Sequence, residues 1–537
     1  MSSTYLGLDF STQQLKAVVL NDELQIIHET HVQFDSDLPE FRTHGGVVQK
    51  RGSKEVTVPT IMWVKALDML LEKLRVCGVD FSEIAALSGS AQQHGSVYWG
   101  RGGKAALASL NPSRFLHEQL GLPSILSVPN SPVWMDSSTT AQCRRLESGS
   151  VGGGGSVGMA QVTGSRAYER FTAAQIAKIA ETKSQAYAAT ERISLISSFA
   201  CSLFLGDYAP IDWADGSGMN LLNIESKDWS DDCLELCAPM LRGKLGATTH
   251  SFANLGPISP YFVERFGFSP ECRVIAFTGD NPASLVGMRL QEGDIAVSLG
   301  TSDTVFMWLS EPKTITEGHV LCNPVNKDAY MALLCFKNGS LTRERIRDIS
   351  ADGSWEIFDE LLNNTPRGNF GNMGLYFDSQ EILPNAIGDY RVNKAGDKLS
   401  RFTSSEVEVR ALIEGQFIAK RAHAEDLGFK IGKETRVLAT GGASINTAIL
   451  QVLADVFNAP VYVQESTNSA VLGAAYQAKH GYVQGSGDGN ENDNSLEAVT
   501  ACLPPPSLVC SPFKDAAEVY NPMITRYRKI ISAIGNY

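Results

Sequence analysis

Four short stretches of this 537-residue chain carry the residue types that phosphate chemistry needs. Asp9-Phe10-Ser11-Thr12-Gln13-Gln14, between two apolar runs, offers a carboxylate for Mg²⁺ and hydroxyl and amide donors for a phosphate. Gly300-Thr301-Ser302 offers a second donor turn, in which glycine permits close backbone approach. Gly441-Gly442 precedes a helical pattern, and a helix N-terminus favours negative charge. Asp280 ends a strand beside a helix start, where a general base would be presented. Each of these residues could instead be a plain turn or cap residue. The functional reading rests on their occurring together, in this order.

Several apparent motifs carry nothing. Gly153–Gly158 satisfies G-x-G-x-x-G and Gly154–Gly158 satisfies G-x-S-x-G, yet neither follows a strand, which both mechanisms require. No G-x-x-x-x-G-K-[ST] exists, so a P-loop ATPase is excluded. The HETH run at His28–His31 falls in a predicted strand and reads as solvated strand polars. Cys233 and Cys237 have no second pair or histidine nearby to complete a zinc site.

The elements that must position the four stretches alternate between strand and helix. Tyr5–Leu8, Leu15–Leu20 and Leu24–Glu29 read as a β-meander. Asp294–Leu299 and Thr304–Trp308 repeat the hairpin around Gly300–Asp303, which points to two domains of similar design. Trp63, Leu67, Leu70, Leu71 and Leu74 mark one face of a helix over Met62–Val76. Strands are expected at Ile84–Ser88, Arg273–Phe277, Arg436–Ala439 and Val461–Gln464, with helices at Ile445–Phe457 and from Asn468 to His480. Pro282 fits a first helical position, with Asn281 as the N-cap. This alternation predicts α/β architecture with ligands beyond the strands' carboxyl ends. Ser148–Gly158 reads as a flexible surface loop and Gly485–Ser495 as a disordered acidic one.

Composition narrows the class. With 43% hydrophobic residues the chain can fill packed cores. Its 46 Lys+Arg against 59 Asp+Glu give a net charge of −13, a field that argues against nucleic-acid and anionic-membrane partners. Ten cysteines are too sparse for a disulfide framework. The start MSSTYLGLDF has no basic segment or apolar run of a signal peptide, and Ile193–Leu205 is too short to span a bilayer. A cytoplasmic protein, monomeric or weakly dimeric, is expected.

GLDFSTQQLKAVVL, AVSLGTSDTV and VLATGGASINTAIL resemble the two phosphate motifs and the adenosine motif of the superfamily joining actin, heat-shock chaperone ATPases and sugar kinases. SGSAQQHGSVYW, PVWMDSSTT, GSRAYERFT and FTGDNPASL resemble the FGGY carbohydrate kinases, in their eukaryotic branch acting on D-xylulose. The resemblance runs from about residue 5 to 480. It implies two ribonuclease H-like domains, each on a five-stranded sheet, with a deep cleft between: 1–290 mainly sugar-binding, 291–537 mainly nucleotide-binding. It also implies phosphorylation of D-xylulose to D-xylulose 5-phosphate by ATP with Mg²⁺. By that likeness Asp280 is the base, and His94, Arg170, Asp280 and Asn281 hold the ketose. Asp9 acts around Mg²⁺, Thr12 and Thr301 meet the phosphates, and Trp355, Gly441, Gly442 and Asn446 lie against the nucleotide.

Each assignment has a plainer rival. His94 could be a loop histidine, Arg170 a partner of Glu169, Trp355 a core anchor, and Asn446 a first-turn residue with Ser444 as cap. The sequence departs from bacterial relatives at Leu375–Pro384 and at Gln93, where those relatives usually have methionine. Two other functions stay open: a related kinase acting on ribulose, gluconate or glycerol, and a non-enzymatic ATP-binding switch.

Overall fold

The computed structural model describes residues 3–432, 434–464, 468–485 and 495–534. Its chain opens with β1 (Thr4–Phe10), β2 (Gln14–Leu20) and β3 (Ile26–Gln33), an antiparallel meander. Every residue of β1 is buried, as a strand covered on both faces requires. β3 lies at the sheet edge and leaves Glu29 and His31 exposed, so HETH is strand polarity. This strand starts later than Leu24, because Asn21 and Gln25 close a tight turn in which Leu24 has φ +59°. Next come β4 (Ile84–Ala91), β5 (Asn254–Pro257), β6 (Arg273–Ile275) and β7 (Thr278–Gly279). The sheet order is β5-β6-β4-β1-β2-β3, with β7 also on β4.

A second seven-stranded sheet repeats the plan. It contains β8 (Ile295–Leu299), β9 (Asp303–Leu309), β10 (His319–Cys322), β11 (Tyr330–Phe336), β12 (Val437–Thr440), β13 (Val461–Val463) and β14 (Ser507–Cys510). Its order is β10-β11-β9-β8-β12-β13-β14. In both sheets a meander's first strand pairs in parallel with a later strand, β1 with β4 and β8 with β12. Seven strands replace the expected five because edge strands are added and the fifth strand of the first sheet is split into β6 and β7.

Parallel pairing decides where the chemistry goes. β1, β4 and β7 all point one way, so Asp9, Gln93-His94 and Asp280 emerge at a single edge. β8 and β12 do the same for Gly300–Ser302 and Gly441-Gly442. Two helices stitch the halves. Helix Ser469–Gly485 follows β13 of the second sheet, yet its Val471, Leu472, Ala475 and Tyr476 bury with Val18 and Leu20 of β2 and with Val286. It crosses helix Asp280–Gly287 so closely that a Cβ on Gly473 would stand 1.8 Å from the Ala283 carbonyl oxygen. One continuous core also joins Leu146, Met159 and Ile224 to Val297, Val320 and Leu453.

Three local expectations are corrected. Ser148–Gly158 is not a loose loop: it forms a short 3₁₀ turn (Val151–Gly153) and the start of helix Gly155–Thr163, anchored by buried Val151, Met159 and Ala160. The second helix begins at Asp280 with Gly279 as cap, so Pro282 is its third residue. Proline fits there because first-turn N–H groups have no acceptor within the helix. Asn446, not Ser444, caps helix Thr447–Phe457: its Oδ1 accepts from Ile449 N–H at 3.0 Å. The acidic run Gly485–Ser495 lies, for residues 486–494, outside the described residues.

Candidate active site

Asp9 is the penultimate residue of β1, with its carboxylate turned into protein. Ser90 Oγ donates to its Oδ1 at 2.8 Å and Ser11 Oγ donates to its Oδ2. Burial raises its pKa, against the opposing pull of those two hydroxyls and of the Lys16 charge. Asp280 sits across the same sheet edge, half-buried. Burial, and then the charge of Asp9, push its pKa up to about 7, against hydrogen bonds from the Asn281 and Gln93 backbones. A carboxylate poised there accepts a proton near neutral pH, as a general base must.

Asn281, next on the helix, donates from Nδ2 to Gln93 Oε1 at 3.0 Å. His94 follows Gln93 with φ +73°, an uncommon conformation for a residue with a side chain. Its ring stacks on Phe171, centroids 4.2 Å apart, and Nδ1 meets the Gly218 carbonyl at 2.8 Å. A carbonyl only accepts, so Nδ1 carries the proton and Nε2 is left as an acceptor. Burial and the Arg170 charge lower the His94 pKa to about 3 and keep the ring neutral. Arg170 lies over the Tyr168 ring, 4.8 Å from its centroid, and donates to His319 Nε2 at 2.6 Å. It pairs with His319 and not with Glu169.

Thr12 Oγ1 accepts from Trp134 Nε1 at 2.9 Å. In the second sheet Thr301 and Ser302 are exposed on the turn between β8 and β9. Asp303 behind them is fully buried and paired with Arg343 at 2.8 Å and Lys420 at 2.9 Å, both also buried. Burial alone would raise the Asp303 pKa; the two cations outweigh it and hold it low. Gly441 has φ +85°, and a Cβ there would stand 2.5 Å from the Leu299 carbonyl oxygen. Gly442 faces open space. Asn446 donates to Asp359 Oδ1 at 2.8 Å, on the helix that begins with Trp355. Trp355 is 37% exposed, with Arg347 over its ring, so it is no core anchor.

The structure thus gathers the residues into two groups. Asp9, His94, Arg170, Asp280 and Asn281 lie around the ends of β1, β4 and β7, with Thr12 on the turn after β1. Thr301, Gly441, Gly442, Asn446 and Trp355 lie around the ends of β8 and β12. A cavity of about 490 Å³ lies elsewhere, between Phe252, Arg289, Trp308 and Lys327, and includes none of them. Sequence reading missed Gln93 as a contact, and also Trp134, Asp215, His319 and the Asp303–Arg343–Lys420 cluster. Trp134 stood inside a quoted motif and Asp303 beside Thr301. His319, Arg343 and Lys420 gave no local signal, because only tertiary folding brings them in. Among the described residues no group of three His, Cys, Asp or Glu side chains forms a metal cage. A magnesium ion held by one or two carboxylates, water and substrate phosphates needs none, and Asp9 fits such a role.

Residues 127–287 match the FGGY family of carbohydrate kinases, N-terminal domain, and residues 295–482 its C-terminal domain. The chain belongs to this family, is a kinase enzyme, and has the two actin-like, ribonuclease H-like domains of its structures. It is 55% identical to "Xylulose kinase" of Rattus norvegicus, over 98% of this chain and 96% of the relative. It is 48% identical to "Xylulose kinase 2" of Arabidopsis thaliana, over 90% of this chain and 88% of the relative. A ligand-bound xylulose kinase structure from Lactobacillus acidophilus superposes with TM-score 0.78 at 18% identity, over 99% of this chain and 98% of that one, a likeness of fold. Among the described residues no helix is long and apolar enough to cross a membrane.

Proposed function

We propose that the chain transfers the γ-phosphoryl group of ATP to the terminal hydroxyl of D-xylulose, giving D-xylulose 5-phosphate and ADP. The observation that carries the mechanism is Asp280, with its pKa near 7, beside Asn281 and facing the charge of Asp9. The choice of sugar rests on the names of relatives at 55% and 48% identity.

In this reading Asp280 takes the hydroxyl proton as the sugar oxygen bonds to phosphorus and the bond to the β-phosphate oxygen breaks. Phosphoryl transfer asks little covalent work of a protein and much alignment and charge neutralisation. Asn281, His94 and Arg170 orient the ketose, with His94 Nε2 as an acceptor and Arg170 as a donor. Thr12 and the Thr301 turn offer donors to phosphate, and the open surface at Gly442 leaves room for the nucleotide near Asn446 and Trp355. Asp9 would hold Mg²⁺, which supplies charge neutralisation at the phosphates. Residues 1–290 would then serve the sugar and 291–537 the nucleotide, with His319 reaching back from the second part to Arg170.

The test is ADP release by the full chain on D-xylulose, D-ribulose, gluconate and glycerol, with calorimetric titration of D-xylulose. Highest kcat/KM on D-xylulose is expected. Equal or faster turnover of D-ribulose would displace the sugar assignment. Nucleotide binding with neither sugar binding nor turnover would leave an ATP switch.

A further inference from the structure

Gln93 is almost wholly buried just beyond the end of β4 and makes two side-chain hydrogen bonds of opposite sense. Its Nε2 donates to Asp215 Oδ1 at 3.2 Å, and its Oε1 accepts from Asn281 Nδ2 at 3.0 Å. Asp215 is itself buried, and its other oxygen, Oδ2, accepts from Ser197 Oγ at 2.6 Å. With the carboxyl ionised both oxygens are acceptors, so Gln93 turns its amide nitrogen to Asp215 and its carbonyl oxygen to Asn281. Asn281 in turn spends its amide nitrogen on Gln93 and, at 3.4 Å, on Asp280 Oδ1.

The pair is tightly packed. Gly279 lies against both residues, and a Cβ on it would stand 2.5 Å from Gln93 Cγ and 2.7 Å from Asp215 Oδ1. The volume that a side chain at 279 would take is filled by this pair. Side-chain amides otherwise turn over readily, because their two ends have nearly the same shape. Here the acceptor Asp215 breaks that symmetry.

We propose that Gln93, held by Asp215, is a specificity-determining positioning residue: it fixes the Asn281 amide so that Oδ1 of Asn281 is free to accept from a sugar hydroxyl. The inference rests on the reading that Asn281 meets the sugar. A site that presents an acceptor to one hydroxyl discriminates against isomers lacking that hydroxyl there, since a buried polar group is then left unpaired.

The experiment uses Gln93→Met, which keeps length and volume but removes both polar ends, in the full chain and in an Asn281→Ala background. Wild type is assayed on D-xylulose in parallel. The expected result for Gln93→Met is a KM for D-xylulose raised about tenfold and a smaller D-xylulose/D-ribulose ratio of kcat/KM, with the KM for ATP unchanged. In the Asn281→Ala background the same change should cost less than about twofold, because the effect passes through Asn281. Gln93→Glu keeps the acceptor toward Asn281 but sets a second carboxyl against Asp215, so its sugar KM should worsen as pH rises. An unchanged sugar KM in Gln93→Met, or a full tenfold loss on top of Asn281→Ala, overturns the inference while wild-type turnover stands. Absence of wild-type turnover on D-xylulose overturns the functional reading, and this inference with it.

Discussion

Arg170 donates to Nε2 of His319 at 2.6 Å, joining the loop before helix Thr172–Thr182 to the edge strand β10 of the second sheet. A guanidinium only donates, so His319 is neutral with its proton on Nδ1, which meets Ser165 Oγ at 2.9 Å. Burial first, and then the Arg170 charge, hold the His319 pKa well below its ordinary value, in keeping with that tautomer. A residue of the second half thereby sets the position of an arginine proposed to hold the sugar.

His319→Ala removes that acceptor and frees Arg170. The expected outcome is a KM for D-xylulose raised about tenfold with little change in the KM for ATP. His319→Gln, whose Oε1 can accept from Arg170, should recover most of the loss. Steady-state kinetics on both substrates checks this; equal losses in the two variants would count against it.

Asp280 gives a pH prediction with a definite sign. Acting as the proposed base, a carboxyl with pKa about 7 is protonated and idle below that value, so kcat/KM should fall about tenfold per pH unit on the acid side. Asp280→Asn should lose about 10²–10⁴-fold in kcat. The same shift acts on stability. The folded carboxyl holds its proton more tightly than the unfolded one, so it favours folding at low pH and loses that benefit as pH rises from about 4 through 7. Asp280→Asn should therefore melt above wild type near pH 8, with the gap closing near pH 4, as paired thermal melts would show.

How much of this was legible in the sequence follows from what each signal depends on. β1, β2, β8 and β9 were readable because apolar runs flank a polar turn, and their hairpins are local. Asp280 was readable because a strand end meets a helix start within three residues. The helical start at Gly155 was not, since four successive glycines with positive φ mimic a linker until buried Val151 and Met159 are seen. Nor was the bond between Arg170 and His319, 149 residues apart in the chain, because nothing local to either names the other.

Asp303 carries the expectation for the support of the Gly300–Ser302 turn. It is buried against two buried cations, and Gln416 accepts from Arg343 at 3.0 Å in the same cluster. Asp303→Ala leaves Arg343 and Lys420 buried without their anion, a change worth about 3–5 kcal/mol. Chemical denaturation should show that loss.

Gly441 and Gly442 are neighbours with opposite constraints, which separates a structural requirement from a ligand one. At Gly441 the backbone is left-handed, and an added methyl would press on the Leu299 carbonyl oxygen at 2.5 Å. That oxygen is main chain and cannot swing aside, so Gly441→Ala should destabilise by about 1–3 kcal/mol whether or not nucleotide is present. At Gly442 nothing lies within 4 Å of an added Cβ, and the residue starts a 3₁₀ turn with ordinary φ. Gly442→Val should therefore leave Tm near wild type. If ATP lies against this surface, the added isopropyl group occupies its space: the KM for ATP rises about tenfold or more while the KM for D-xylulose holds. Thermal melts with and without ATP read the two effects apart, since the stabilisation by ligand should shrink in Gly442→Val. A Gly442→Val variant with normal ATP affinity would move the nucleotide away from the end of β12.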